Sequence, residues 1–144
     1  MMSPRCQTLR PCKFLLPVVA LTALVWNAAL GSDQRLAFGK FYQVLDGKVD
    51  AGTYNGFRRY NAVCSHCHGQ DGVGSSFAPS LVDGLLDIDT FRHVVLDGLV
   101  AGTSIMKGFA NDPNVAPYVG DIYAYLQARN DGALGRGRPM MQSQ

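Results

Sequence analysis

The chain has 144 residues, 47% hydrophobic and 17% charged, with 13 Lys and Arg against 11 Asp and Glu and a formal charge of +2. That length holds one domain with a modest core. The small excess of base lies in the first residues, so it does not describe a basic nucleic-acid-binding surface.

Residues 1–13 carry Arg5, Arg10 and Lys13 and no acid, and Phe14 to Leu30 is almost wholly apolar. Ala29-Leu30-Gly31 then offers the small residues a signal peptidase reads, so residues 1–31 are expected to be a cleaved signal peptide and the mature chain to begin near Ser32 in the periplasm. The alternative is an uncleaved membrane anchor. The apolar run is 17 residues and contains Pro17, at the short edge of what spans a bilayer, and this favours cleavage. Cys6 and Cys12 precede the run and leave with it. The exported chain keeps Cys64 and Cys67, with no disulfide framework, and its formal charge falls to −1. Nucleic acid is therefore not expected as a partner, nor is stable membrane insertion once the leader is gone; the mature chain is expected to be a monomer.

Residues 32–52 show no sustained period and are expected to form an extension lying on the domain. From Thr53 the pattern turns helical: Gly56, Tyr60, Val63 and Cys64 fall at i, i+4, i+7 and i+8, one face of a helix capped by Thr53 or Asp50. Residues 69–81 are loop chemistry, rich in Gly and Ser and including Pro79. Asp89 is expected to cap a helix over Thr90–Leu99 whose buried stripe is Phe91, Val94 and Val95. Gly98, Gly102 and Gly108 then mark a second loop. Asp112 or Asn114 begins the last helix, with Val115, Tyr118, Val119, Ile122, Tyr125 and Leu126 recurring every three to four residues and a stop near Asn130. No run alternates like a strand. The expected fold class is all-α, with a domain over 53–130 and a C-terminal tail over 131–144.

The first helix ends in Cys64-Ser65-His66-Cys67-His68. Cys-x-x-Cys-His is the attachment signature of c-type haem: two thiols three positions apart each form a thioether to a haem vinyl group, and the following histidine reaches the iron. Three other uses of the pair fit less well. A thioredoxin-type redox couple expects a βαβ context that is missing here. A zinc site lacks further thiols in the exported chain, and a disulfide at this spacing is strained. One covalent haem c is therefore the expected cofactor.

The iron's second face needs a ligand, and Met106 is the candidate, set in a Gly-bounded segment beside Ile105 and Phe109. Met1 and Met2 belong to the leader, while Met140 and Met141 lie in the polar tail. A packing role is the competing reading for Met106, and His93 is the other candidate ligand, although its helix position suits a surface role. His66 is held beside His68 and is expected to face solvent. His/Met ligation raises the reduction potential. The Pro79 carbonyl is placed to accept a hydrogen bond from the other ring nitrogen of His68, fixing the ring and strengthening it as a donor. Gly56 and Tyr60, facing Tyr125 and Leu126, are expected to let two helices cross closely.

Together, Gly56-x-x-x-Tyr60, Cys64 to Gly69, the Pro79 spacing, the Met106 segment and the aromatic last helix resemble a class I cytochrome c. Asp46-Gly47-Lys48-Val49-Asp50, Gly69-Gln70-Asp71-Gly72-Val73-Gly74-Ser75, Ala78-Pro79-Ser80-Leu81, Asp121 to Leu126 and Asp131 to Pro139 resemble the periplasmic cytochromes of methanol and other alcohol oxidation. That resemblance, of the cytochrome c-553I kind, covers essentially the whole mature chain. It implies a class I cytochrome c fold and an electron-transfer protein rather than an enzyme. The implied electron donor is a pyrroloquinoline-quinone (PQQ) alcohol dehydrogenase, lanthanide-dependent types included, and the acceptor another cytochrome c or a terminal oxidase. Relatives often have Pro after the ligand Met, where this chain has Lys107. A haem-based enzyme or gas sensor with a labile sixth ligand, and a membrane-tethered oxidase subunit, are the alternatives.

Overall fold

A computed structural model describes residues 39–143, which fall in one compact unit, Asp33–Gln144. The predicted leader and its cleavage site lie outside the described residues.

Two short strands, β1 (Val44–Leu45) and β2 (Lys48–Val49), pair antiparallel and lead into α1 (Ala51–Arg59). Asp50 caps α1, accepting from the Gly52 and Thr53 amides at 3.0 and 3.2 Å and from the Thr53 hydroxyl at 2.7 Å. Both predicted caps therefore take part, as acceptor and donor of one buried group. The helix begins at Ala51, within the stretch read as an extension.

The helix does not run evenly to the motif. Tyr60–Cys64 is a π-helical turn, followed by α2 (Ser65–His68). A π turn adds a residue and rotates the succeeding residues relative to a 3.6-residue period. Side chains take up backbone oxygens along it: Asn61 Nδ2 donates to the Phe57 carbonyl at 2.9 Å and Ser65 Oγ to the Asn61 carbonyl at 2.8 Å.

After a 3₁₀ turn (Gln70–Gly72) and a loop comes α3 (Ile88–Asp97). Its cap is Asp87, which accepts from the Asp89 and Thr90 amides at 3.1 and 3.0 Å, so the helix starts and ends two residues before the predicted span. Phe91 and Val95 are buried and Val94 is half-buried. A 3₁₀ turn (Ala116–Tyr118) precedes α4 (Val119–Asn130), so Asp112 organises a turn before the helix rather than starting it. The predicted stop at Asn130 agrees.

The strict all-α expectation is corrected. Residues 100–107, read as a loop, form together with Gly98 and Leu99, read as the end of the helix, an antiparallel hairpin of β3 (Gly98–Ala101) and β4 (Ser104–Lys107). Near the C-terminus, β5 (Met140–Met141) pairs parallel to β2. These strands are two to four residues long, too short to show an alternation, and glycine at their ends reads as loop.

The core centres on α4, where Ile122 to Leu126 and Ala128 are buried with Tyr60 of the π turn, Phe91 and Val95 of α3, and Val115. Rings set much of the packing: Tyr60 and Phe57 lie 5.6 and 5.5 Å from Tyr125, and Phe91 lies 5.3 Å from Tyr123. The α1–α4 crossing depends on Gly56. A Cβ there would sit 1.8 Å from the Asp121 carbonyl oxygen. The close approach at Gly56 is the one expected, but its partner is the backbone at Asp121 and Ile122, while Tyr125 packs on Tyr60.

Gly56→Ala would force the two helices apart rather than displace a mobile side chain. We expect it to destabilise the holoprotein by about 3 kcal/mol or more, read from denaturant-unfolding midpoints.

Candidate haem site

The π turn and α2 present the motif at one end of the helix that crosses α4. Cys64 is half-buried and Cys67 exposed, and both are free thiols. Burial, followed by the neighbouring Cys67, pushes the Cys64 thiol up to about 11, so an unattached Cys64 is a protonated thiol at neutral pH.

His68 Nδ1 lies 3.0 Å from the Pro79 carbonyl oxygen. With that carbonyl as acceptor, Nδ1 carries the proton and Nε2 keeps its lone pair. The sequence-predicted contact between these two residues is thus present. The loop returns to the motif at other points as well. The Gly74 amide donates to the His68 carbonyl at 2.8 Å, Ser75 Oγ donates to the Cys67 carbonyl, and Tyr60 Oη donates to the Gly69 carbonyl at 2.7 Å. The last carbonyls of the helix are satisfied by the loop that carries Pro79.

Met106 sits on β4, opposite Leu99 of β3, half-buried and packed against the core cluster, as are Cys64, Leu81 and Phe109. Residues directly opposite one another point to the same side of a hairpin. Met106 and Leu99 therefore share one face, while Val100 and Ile105 share the other and are 71% and 77% exposed. The hairpin is tied to α3 where the Phe109 and Ala110 amides donate to the Val95 and Leu96 carbonyls at 2.9 and 3.0 Å. Gly98, at φ 88°, makes this closure possible, since a Cβ there would meet the Met106 carbonyl oxygen at 2.7 Å. Lys107 ends β4 with Nζ 5.0 Å from the Phe109 ring centroid.

The other candidates are engaged elsewhere. His93 is exposed on α3 and pairs with Asp97 at 2.7 Å. His66 is exposed, with Nδ1 3.2 Å from the Val63 carbonyl. Met140 and Met141 are used in β5 against β2.

This arrangement fits a haem. Two free thiols, an imidazole held through one nitrogen and a thioether are the donor set that c-type haem uses. Apolar Val73 and Phe77 in the loop, and Leu99 opposite Met106 on the hairpin, are exposed, as suits segments that face a large apolar ring. The π turn, the hairpin and the cap at Asp87 escaped the sequence reading. For the hairpin a signal existed: Leu99, Val100, Ile105 and Met106 on either side of Gly102-Thr103 have the composition of paired strands.

Comparison with known proteins agrees. Residues 51–126 match the family model described as cytochrome c oxidase, cbb3-type, subunit III. Cytochrome c-553I of Paracoccus denitrificans is 43% identical over 100 residues, covering 65% of this chain and 44% of the relative. The chain thus spans less than half the length of that protein. Cytochrome c-555 of Methylococcus capsulatus (Bath) is 39% identical over 92 residues, 62% of this chain and 72% of the relative. The crystal structure of the c-type cytochrome XoxG from Methylobacterium extorquens AM1 superposes with a TM-score of 0.67 at 42% identity, covering 72% of this chain and 67% of XoxG. The chain belongs to the c-type cytochromes, in the family of that model. Its cofactor is one covalent haem c, and Cys64 and Cys67 of its Cys-x-x-Cys-His sequence are consistent with the attachment. Its fold is that of class I cytochromes c, three main helices supplemented by short strands.

Buried phenols make this core sensitive to alkali. Burial, then the charge of Asp71, pushes Tyr125 up to about 12. Burial and the hydrogen bond to Asp131 do the same for Tyr42, and burial also raises Tyr60. Their ordinary value is 10.0, so the folded state holds these protons more tightly than the unfolded one. That stabilisation is complete below pH 10 and is lost as pH rises through about 12. The melting temperature of the holoprotein is expected to fall across this window, and Tyr125→Phe to flatten the fall.

Proposed function

We propose that this chain is a periplasmic monohaem electron carrier. It takes electrons from a PQQ-dependent methanol or alcohol dehydrogenase, lanthanide-dependent types included, and passes them to another cytochrome c or a terminal oxidase. Cys64 and Cys67 hold the haem through thioethers, His68 and Met106 ligate its iron, and Pro79 orients His68. The observation that carries the ligand assignment is the 3.0 Å contact of His68 Nδ1 with the Pro79 carbonyl, which leaves Nε2 as the free donor. The alcohol-oxidation assignment draws support from the 42% identity to XoxG of a Methylobacterium and the 39% identity to cytochrome c-555 of a Methylococcus.

When bound, the haem supplies a one-electron ferrous–ferric couple. The chain's own residues set its surroundings. Pro79 holds the Nδ1 proton of His68 and strengthens the opposite nitrogen as a donor. The thioether of Met106 is a neutral, soft ligand that favours the reduced state. Docking is weak and transient, through Ile105, Phe109 and Ala78, with Lys107 at the rim. Residues 1–31 direct export and are removed.

The family model's description favours one second reading, a cytochrome subunit of an oxidase tethered by an uncleaved N-terminus. Among the described residues no helix is long and apolar enough to cross a membrane, so the tether would lie in the leader. The mass of the purified native chain and its partition between soluble and membrane fractions separate the two readings.

Met106→Ala is expected to abolish the weak red charge-transfer band of the ferric protein. It should also lower the reduction potential by an appreciable part of the roughly 0.8 V that axial ligation spans. An unchanged band removes Met106 as ligand. For the partner, stopped-flow mixing of the ferric holoprotein with PQQ alcohol dehydrogenases and their alcohols is expected to give alcohol-dependent haem reduction. Failure with every such enzyme returns the chain to a carrier for some other donor.

A further inference from the structure

The segment after α4 has no part in the electron-transfer reading, yet it is built into the loop that follows the motif. The Leu134 amide donates to the Ala128 carbonyl at 3.0 Å, and Arg129 Nη1 donates to the Leu134 carbonyl at 2.8 Å. The chain then reaches Asp71. Arg136 Nε donates to Asp71 Oδ2 at 3.2 Å and the Gly137 amide to Oδ1 at 3.1 Å. Tyr125 Oη lies 3.5 Å from the same Oδ1, and Arg129 Nε donates to the Asp71 carbonyl at 3.4 Å.

Asp71 is an unusual residue to find in this position. Its side chain is 4% exposed, against 66% for Arg136, and its backbone is left-handed at φ 62°. A non-glycine residue in that region needs local bonds to hold it, and a buried carboxylate needs partners. The C-terminal segment supplies two of them.

From Asp71 the bonding continues to the site. Gly72 is its neighbour in the chain, and the Gly72 carbonyl accepts from the Leu81 amide at 2.8 Å and from Ser80 Oγ at 3.2 Å. Ser80 is bonded to Pro79, whose carbonyl meets His68 Nδ1. We propose that Arg136 and Gly137 clamp Asp71 as a positioning device for His68: the C-terminal segment fixes Asp71, Asp71 fixes Gly72, and the Gly72 carbonyl holds Ser80 so that Pro79 stays on Nδ1. Asp71 and Arg136 are positioning residues, acting through Pro79. The inference rests on the reading of His68 as iron ligand.

Arg138 provides an internal control. It belongs to the same segment and carries the same charge, but it engages Tyr54, with Nε 3.1 Å from the phenol oxygen. The test is hydrogen exchange of the His68 Nδ1 proton, followed by NMR in the reduced holoprotein, for the native chain and for Arg136→Gln, Arg136→Lys and Arg138→Gln. Arg136→Gln is expected to exchange about tenfold faster, the effect of one lost charge-assisted hydrogen bond, with the amides of Tyr123 to Leu126 unchanged. Arg136→Lys should fall between Arg136→Gln and native, and Arg138→Gln should keep the native rate.

Native exchange in Arg136→Gln overturns the clamp, as does equal acceleration of the α4 amides or the same acceleration in Arg138→Gln. The His68 ring protons report the ligand reading separately. If they lack the large ring-current shifts of an iron-bound imidazole, both readings fall; if the shifts are present and exchange is unaltered, the clamp alone falls.

Discussion

The crossing of α1 and α4 at Gly56 is the constraint on which the rest of this molecule depends. Backbone meets backbone there, so the two helices are fixed in register rather than merely in contact. Tyr60 is then carried against Tyr125, and its hydroxyl meets the Gly69 carbonyl just beyond the motif. The same helix α4 receives Phe91 on Tyr123, and its Gln127 side chain bonds the Phe41 amide and the Gly39 carbonyl, both at 2.7 Å. One side of the fold is therefore organised by packing around α4. The motif stands at the end of a helix whose position that packing determines.

The loop that carries Pro79 and the hairpin that carries Met106 are organised differently. Residues 69–81 have few buried apolar side chains and are held by polar bonds, Tyr60 to the Gly69 carbonyl, Ser75 to the Cys67 carbonyl, Ser80 to the Gly72 carbonyl within the segment, and the Gly137 amide to Asp71. A loop of this kind has little hydrophobic reason to keep one conformation. Polar bonds at defined atoms give it one, and they place the Pro79 carbonyl on His68. The hairpin that carries Met106 solves the same problem with a β-ladder and two amide bonds to the end of α3.

Legibility in the sequence divides along the same line. The Cys64-x-x-Cys67-His68 signature stands out because thioether attachment requires that spacing, and the contact of Pro79 with His68 was legible because a carbonyl at that distance along the loop suits Nδ1 of the imidazole. Helix α4 was legible because apolar residues recur at its period, and Asp50 because acid before a helical run is a cap signal. The π turn was hidden, since Gly56, Tyr60, Val63 and Cys64 look like an uninterrupted helical face; only the side chains of Asn61 and Ser65, taking backbone oxygens, betray it. Strands β1, β2 and β5 were hidden because pairs such as Lys48 with Met140 join residues from opposite ends of the domain, and two-residue strands carry no local period. Asp87 lost to Asp89 as the expected cap because both precede the apolar stripe, and tertiary contact decides between them: Leu86, just before the cap, gives its carbonyl to Tyr123 at 3.0 Å.

Residues 131–143 looked like a polar tail for a related reason. Glycine, arginine and proline in succession lack any pattern that reports burial, yet Leu134 is buried and Arg136 neutralises a buried acid. The matching half of that signal lies in Gly69-Gln70-Asp71-Gly72, 65 residues before Arg136 at the acid itself. An acid between glycines reads locally as a turn residue, and an arginine between glycines as a solvated one. Each makes sense only through the other: Asp71 tolerates its left-handed backbone and its burial because Arg136 and Gly137 arrive there, and the C-terminal segment has a defined path because Asp71 receives it. The C-terminal segment is thereby joined to the loop that follows the motif, where a c-type cytochrome has most need of a fixed geometry.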